Sequence, residues 1–118
     1  MTEIVLRGKL PSLNEVIGAA RRNPYQANKQ KRATEALIAS QLPSTQIQER
    51  NVFTFEWHEP SKRRDPDNIA SAVKFIFDAM QKQGVLANDG WGQVAEIHHK
   101  FIYDKENSHY VVINYHAL

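Results

Sequence analysis

The chain is predicted to fold as one α+β domain over residues 1–118, a mixed sheet with two helices in the order β-α-β-α-β-β. Three observations carry this reading. Four segments, near residues 3–9, 51–58, 93–103 and 109–116, alternate apolar and polar side chains with the period of a strand. The stretch from Asp65 to Gly84 repeats apolar residues at helical spacing. A length of 118 residues, 42% hydrophobic and 24% charged, suits a single core of ordinary size.

The elements follow in order. Glu3 to Lys9 alternates as a strand, and Leu10-Pro11-Ser12-Leu13-Asn14 breaks it. Gly18 to Pro24 reads as a basic loop. From about Gln26 to Leu42, Ala33, Leu37 and Ile38 lie at helical spacing, and Pro43 ends the segment. Residues 51–58 place Phe53, Phe55 and Trp57 on one face of a strand. Asp65 stands before Pro66, which pushes it out of the α region and suits an N-cap with proline at the first helical position. Ile69, Ala72, Val73, Ile76, Phe77 and Met80 then form a stripe that must be buried, and Gly84 is a C-terminal stop. Asn88-Asp89-Gly90-Trp91-Gly92 is a turn. The last two segments look like an antiparallel pair joined around Asp104 to Ser108.

Composition excludes several classes of function. No apolar run approaches the roughly 20 residues of a membrane span, and no signal-peptide pattern is present. The chain has no cysteine, hence neither disulfides nor a thiolate zinc site, and a cytoplasmic protein is the natural expectation. The net charge of +2 is unevenly spread: residues 1–64 hold eleven Lys/Arg against six Asp/Glu, and residues 65–118 four against seven. Arg21-Arg22, Lys29-Gln-Lys31-Arg32 and Lys62-Arg63-Arg64 are clusters suited to phosphate, although a basic run also serves as a plain solvated face.

The residues with chemical potential begin at Arg64-Asp65-Pro66-Asp67-Asn68. Asp65 precedes the helix and Asp67 lies in its first turn, so the two carboxylates can converge. Hard cations such as Mg²⁺ take oxygen ligands, commonly one or two carboxylates completed by water and substrate phosphate. The plain alternative is that both aspartates only stabilise the helix start, by roughly 0.3–2 kcal/mol. Lys74 lies on the polar face with Asp67, Ser71 and Asp78, roughly 10 Å beyond Asp67 along the axis. It can lean toward the carboxylates or simply pair with Asp78. Asp89 sits in a loop able to return toward the first pair, and Asn-Asp-Gly is equally an ordinary turn. His98 and His99 point to opposite faces of a strand and are not expected to share a metal, while His58, His109 and His116 read as surface or strand residues.

The segment Lys62-Arg63-Arg64-Asp65-Pro66-Asp67-Asn68, with Lys74-Phe-Ile-Phe-Asp78-Ala-Met, Gly84-Val-Leu and Asn88-Asp89, resembles the RusA family of Holliday-junction resolvases of bacteria and their phages. Pro11-Ser12-Leu13-Asn14, followed by a basic loop and a helix, is similar to the family's N-terminal pattern. The resemblance implies a RusA-like fold and a homodimeric endonuclease, dependent on Mg²⁺ or Mn²⁺, that resolves four-way DNA junctions by paired symmetric nicks. It implies metal ligation by Asp65, Asp67 and Asp89, with Lys74 as the helix lysine when counted back from Asp78-Ala-Met. Counted forward from Asp67, the lysine of some members falls on Ser71. DNA contacts are expected from Lys62, Arg63, Arg64, Arg21, Arg22, Lys29, Lys31 and Arg32, with Tyr25 or Trp91 as a wedge at a crossover. No membrane and no organic cofactor are expected. Two other readings stay open: a catalytically silent DNA-binding module, and a metal-dependent nuclease acting on flap or damaged DNA.

Overall fold

The structure, a computed structural model, describes residues 2–118. It contains β1 (Thr2–Arg7), α1 (Leu13–Arg22), α2 (Pro24–Ala39), β2 (Asn51–Glu59), α3 (Pro66–Ala70), α4 (Val73–Lys82), β3 (Val94–Tyr103) and β4 (Tyr110–Ala117). The α+β class and the mixed sheet agree with the sequence; the first expected helix is realised as α2, preceded by an unexpected α1, and the second is split into α3 and α4. Residues 18–22, read as a basic loop, belong to α1. Ser12 starts that helix: its hydroxyl accepts from the Glu15 N–H at 3.2 Å and donates to the Glu15 carboxylate at 3.2 Å. Asn23 is extended and ends α1 while capping α2, accepting from the Gln26 N–H at 2.8 Å ahead of Pro24 at the first helical position. The buried side of α2 also differs from expectation. Thr34, Glu35 and Ile38 face inward, whereas Ala33 is exposed and Leu37 only partly covered.

The third helical stretch breaks at Ser71-Ala72. The N–H groups of Ala72 and Lys74 bond to carbonyls three residues back, at Ile69 and Ser71, and this tighter turn separates α3 from α4. The expected stripe survives the break: Ile69, Ala72, Ile76, Phe77 and Met80 are buried and Val73 packs at the margin. Gly84 then adopts a φ of 75°, the left-handed position that closes a helix without a Cβ penalty.

The sheet order is β1-β4-β2-β3. β3 runs parallel to β2, while β4 runs antiparallel to both β2 and β1. The two final segments therefore do not pair with each other, which corrects the expected hairpin. The reason lies in β2. Phe53 and Phe55 are fully buried and Trp57 is nearly so, and β2 is the most deeply buried strand. It takes an interior position, with a neighbour on each side. The chain after β3 crosses its end, where the Asp104 N–H donates to the Glu59 carbonyl at 2.9 Å.

Phe77 meets Phe53 and Phe55 edge-on, with ring centroids 5.3 and 5.7 Å apart, joining α4 to the sheet. α2 packs on α4 and α1 touches α3. No helix covers the same side of β3, so Ile97, Phe101 and Tyr103 stay 43%, 42% and 52% exposed. On that side His99 stacks over Phe55 and its Nδ1 accepts from Trp57 Nε1–H at 2.9 Å.

Burial, and then the neighbouring His98, lower the His99 pKa below its ordinary value of about 6.5. The unfolded chain therefore binds this proton more readily than the fold does. The corresponding stability is complete above pH ~6.5 and is lost as the pH falls below it. Thermal melts between pH 7.5 and 5 should show a falling Tm. His99→Gln, which keeps an acceptor for Trp57 but does not titrate, should flatten the slope, and an unchanged slope would contradict this account.

Candidate metal and phosphate site

The site begins where β2 ends. Alternation along β2 carries Glu59 to the core face, where it is 8% exposed, and a buried carboxylate needs a partner. Arg64 supplies it. Its Nε and Nη2 donate to the two Glu59 oxygens at 3.0 and 2.9 Å, and Nη1 donates to the Leu10 carbonyl at 2.8 Å. The fork closes the loop from Glu59 to Arg64 and ties it to the segment preceding α1. His109 adds a contact, with Nε2 3.7 Å from Glu59 Oε1. Burial pushes its pKa down, against the opposing pull of Glu59. Arg64, expected among the DNA contacts, is thus occupied inside the protein. Lys62 and Arg63 beside it are exposed, with the Lys62 ammonium 5.1 Å above the Tyr103 ring.

This anchored loop delivers Asp65 to the start of α3. Asp65 takes the expected N-cap backbone, φ −73° and ψ 151°, yet its side chain makes no capping hydrogen bond. Its exposed carboxylate borders a concavity lined by Lys62, Pro66, Ile69, Phe101 and Tyr103. Asp67, also exposed, accepts only from the adjacent Asn68 N–H, at 3.0 Å through Oδ1.

The loop after α4 brings Asp89 to Lys74 and not to Asp65 and Asp67. Lys74 Nζ lies 3.1 Å from Asp78 Oδ1, the pairing its spacing suggested, and 3.2 Å from Asp89 Oδ2 rather than leaning to Asp65 and Asp67. The Lys74 pKa is raised, first by its hydrogen bond to Asp78 and then by that to Asp89, which keeps the ammonium charged at neutral pH. The Asp89 loop is well braced. Gln93, 7% exposed, donates to the Ile47 carbonyl and accepts the Asn88 N–H, and Arg50 donates to the Trp91 carbonyl at 2.9 Å.

The aspartates are not gathered into one cage. Among the described residues, no three Asp, Glu or His side chains are grouped closely enough to surround one ion. The structure instead offers the open pair Asp65 and Asp67 at one end, and Lys74 with Asp78 and Asp89 at the other. Hard oxygen donors without full internal partners, as at Asp65, fit an ion that keeps waters and takes ligands from substrate.

Arg21 and Arg22 end α1, and Lys29, Lys31 and Arg32 project from α2; all five are exposed. Of these, Lys31 lines a groove with Asp78, Gln81 and Lys82. Tyr25 and Trp91 are 64% and 89% exposed and serve no internal packing of this kind. The Glu59–Arg64–His109 cluster went unread in the sequence, although Glu59 in phase with Phe53, Phe55 and Trp57 was a visible signal for a buried charge.

The family model described as Endodeoxyribonuclease RusA matches residues 13–114. No curated protein matches the chain.

The two arginines should separate cleanly on mutation. Arg64→Met leaves Glu59 buried without its cation and should cost about 3–5 kcal/mol. Arg63→Ala should change stability by less than about 0.5 kcal/mol. Urea unfolding of both variants measures the difference, and equal losses would contradict the assignment.

Proposed function

The chain belongs to the RusA family of junction-resolving endodeoxyribonucleases, and on that premise we propose that it is a metal-dependent enzyme making paired, symmetric nicks in four-way DNA junctions. The observation that carries the metal reading is Asp65. A capping aspartate would bond the helix N–H groups, whereas this one holds the cap position with its carboxylate unused by the helix and open to solvent.

In this reading Asp65 and Asp67 would hold Mg²⁺, with Mn²⁺ as substitute, and Asp89, which is paired with Lys74 and not grouped with them, would join the ligand set on release from the lysine. When bound, the ion supplies Lewis-acid polarisation of the scissile phosphate and acidification of water. The chain's own residues do the rest. Arg64, by holding Glu59, fixes the loop that positions Asp65. Lys74, charged and aligned by Asp78 and Asp89, neutralises charge developing on the phosphate oxygens. On approach of a phosphate it exchanges a carboxylate partner for the substrate, which frees Asp89. Lys62, Arg63 and the α1–α2 basic residues hold the DNA backbone, a salt-sensitive contact that carries no sequence information. Trp91 or Tyr25 wedges at the crossover.

The enzyme acts as a homodimer, since two equivalent sites match two symmetric strands. It works in the cytoplasm of a bacterium or in cells infected by a phage, during recombination or repair, without an organic cofactor. No described helix is long and apolar enough to cross a membrane.

Synthetic four-way junctions, flaps, nicked duplexes and plain duplexes with Mg²⁺ or Mn²⁺ test the substrate. Junctions should be cut fastest, with product ends paired across the crossover. Asp65→Asn and Asp67→Asn should each lower single-turnover cleavage by at least about a hundredfold while junction binding is retained. Binding without cleavage by the unmodified chain, at every metal tried, would favour the silent DNA-binding module. Lys74→Met should slow cleavage with little change in DNA affinity, and a cleavage rate equal to the parent's would remove Lys74 from the mechanism.

A further inference from the structure

The two outer strands of the sheet are finished differently. β1 is six residues long, and Gln41, just past α2, caps its last residue: the Gln41 amide accepts from the Arg7 N–H at 2.7 Å and donates to the Arg7 carbonyl at 2.9 Å. β3 is ten residues long and is bonded to β2 alone, leaving its other edge without a strand among the described residues. It contains no proline, and its register against β2 is regular from Val52–Glu96 onward. A long, regular and uncovered edge is a template for another strand. Its apolar side chains Ile97, Phe101 and Ile102 are also exposed.

We propose that the occupant of this edge is β3 of a second copy of the chain, paired antiparallel about a two-fold axis at His98. The argument is charge complementarity. A dyad normal to the sheet keeps each side chain on its own face, so it must pass through a residue that opposes itself. Only with His98 on the axis does Glu96 meet Lys100 of the partner, twice by symmetry. The same register sets Val94 against Ile102, and Ala95 against Phe101, small against large. Moving the axis to position 96 or 100 brings Glu96 against Glu96 or Lys100 against Lys100, which is unfavourable. An axis at 97 sets Glu96 against a second His98, a residue it already meets at 2.9 Å within its own strand, and an axis at 99 sets His98 against Lys100, so neither matches Glu96 with Lys100. The eight-stranded sheet so formed carries two copies of the Asp65 site, related by the dyad, on one face.

This surface rests on the dimeric reading above, and its test reads association rather than cleavage. The chain lacks cysteine, so His98→Cys introduces a single thiol that opposes itself across the axis. Directly opposed residues of antiparallel strands lie about 4.5–5.5 Å apart, within disulfide reach. Mild oxidation should give a covalent dimer, whereas Glu3→Cys on the shorter β1 strand should not. Glu96→Lys and Lys100→Glu should each weaken self-association by about tenfold or more in sedimentation, because two attractive pairs become repulsive. Mixing the two variants should restore a heterodimer, and circular dichroism of each checks that it folds. A chain that sediments as a dimer but neither cross-links at position 98 nor responds to the charge reversals would overturn this surface while leaving the junction nuclease intact. A chain that stays monomeric at high concentration and on junction DNA would overturn the surface together with the dimeric reading. Cross-linking in a protein that never cuts DNA would uphold the surface and refute the nuclease.

Discussion

The candidate site depends on one buried charge. β2 carries Phe53, Phe55 and Trp57 inward, and the same alternation forces Glu59 inward at its end. An isolated carboxylate there would be costly, and the two-pronged bond from Arg64 removes that cost. The pairing also dictates geometry. Arg64 cannot reach back to Glu59 unless the intervening loop closes tightly, and Asp65 is the next residue along. Its third hydrogen bond, to the Leu10 carbonyl, ties the same loop to the start of the α1–α2 pair. The position of the first aspartate is therefore set by a residue that need never touch DNA.

A second balance governs Lys74. A lysine with one exposed carboxylate neighbour would gain a few tenths of a kcal/mol and little order. Here Asp78 and Asp89 share it from opposite sides, one on the same helix and the other on a loop braced by Gln93. The ammonium is held in place, although its side chain remains 68% exposed. The result is an exposed positive charge bridging α4 and the Asp89 loop. The break between α3 and α4 contributes as well: it lets Ile69 and Ile76 share one core while the polar sides of the two helices are set separately.

The helices cover β1, β4 and β2 and stop short of β3. This asymmetry produces both the concavity beside Asp65, floored by Phe101 and Tyr103, and the bare strand edge. The concavity and the bare strand edge thus share an origin in the placement of two helix pairs over four strands.

Much of the fold was legible because periodicity is a local property. The β2 alternation, the stripe from Ile69 to Met80 and the Asp65-Pro66 helix start each reflect bonds within a few residues. The cap at Ser12 and Glu15 was equally local, but a basic run around Arg21 disguised the helix it begins. The roles of the candidate residues were legible as types, carboxylates near a lysine, and their arrangement was not. Strand order depends on which strand most needs two neighbours, and that comparison runs across the whole chain. The sequence alone determined the α+β class, the strand faces and the acidic motif that opens α3. Only the tertiary structure decided that β2 separates β3 from β4, that Arg64 turns inward, that Asp65 leaves its cap unbonded and that Lys74 joins Asp89. Each of these turns on burial and on contacts between segments far apart in the chain, which no local pattern encodes.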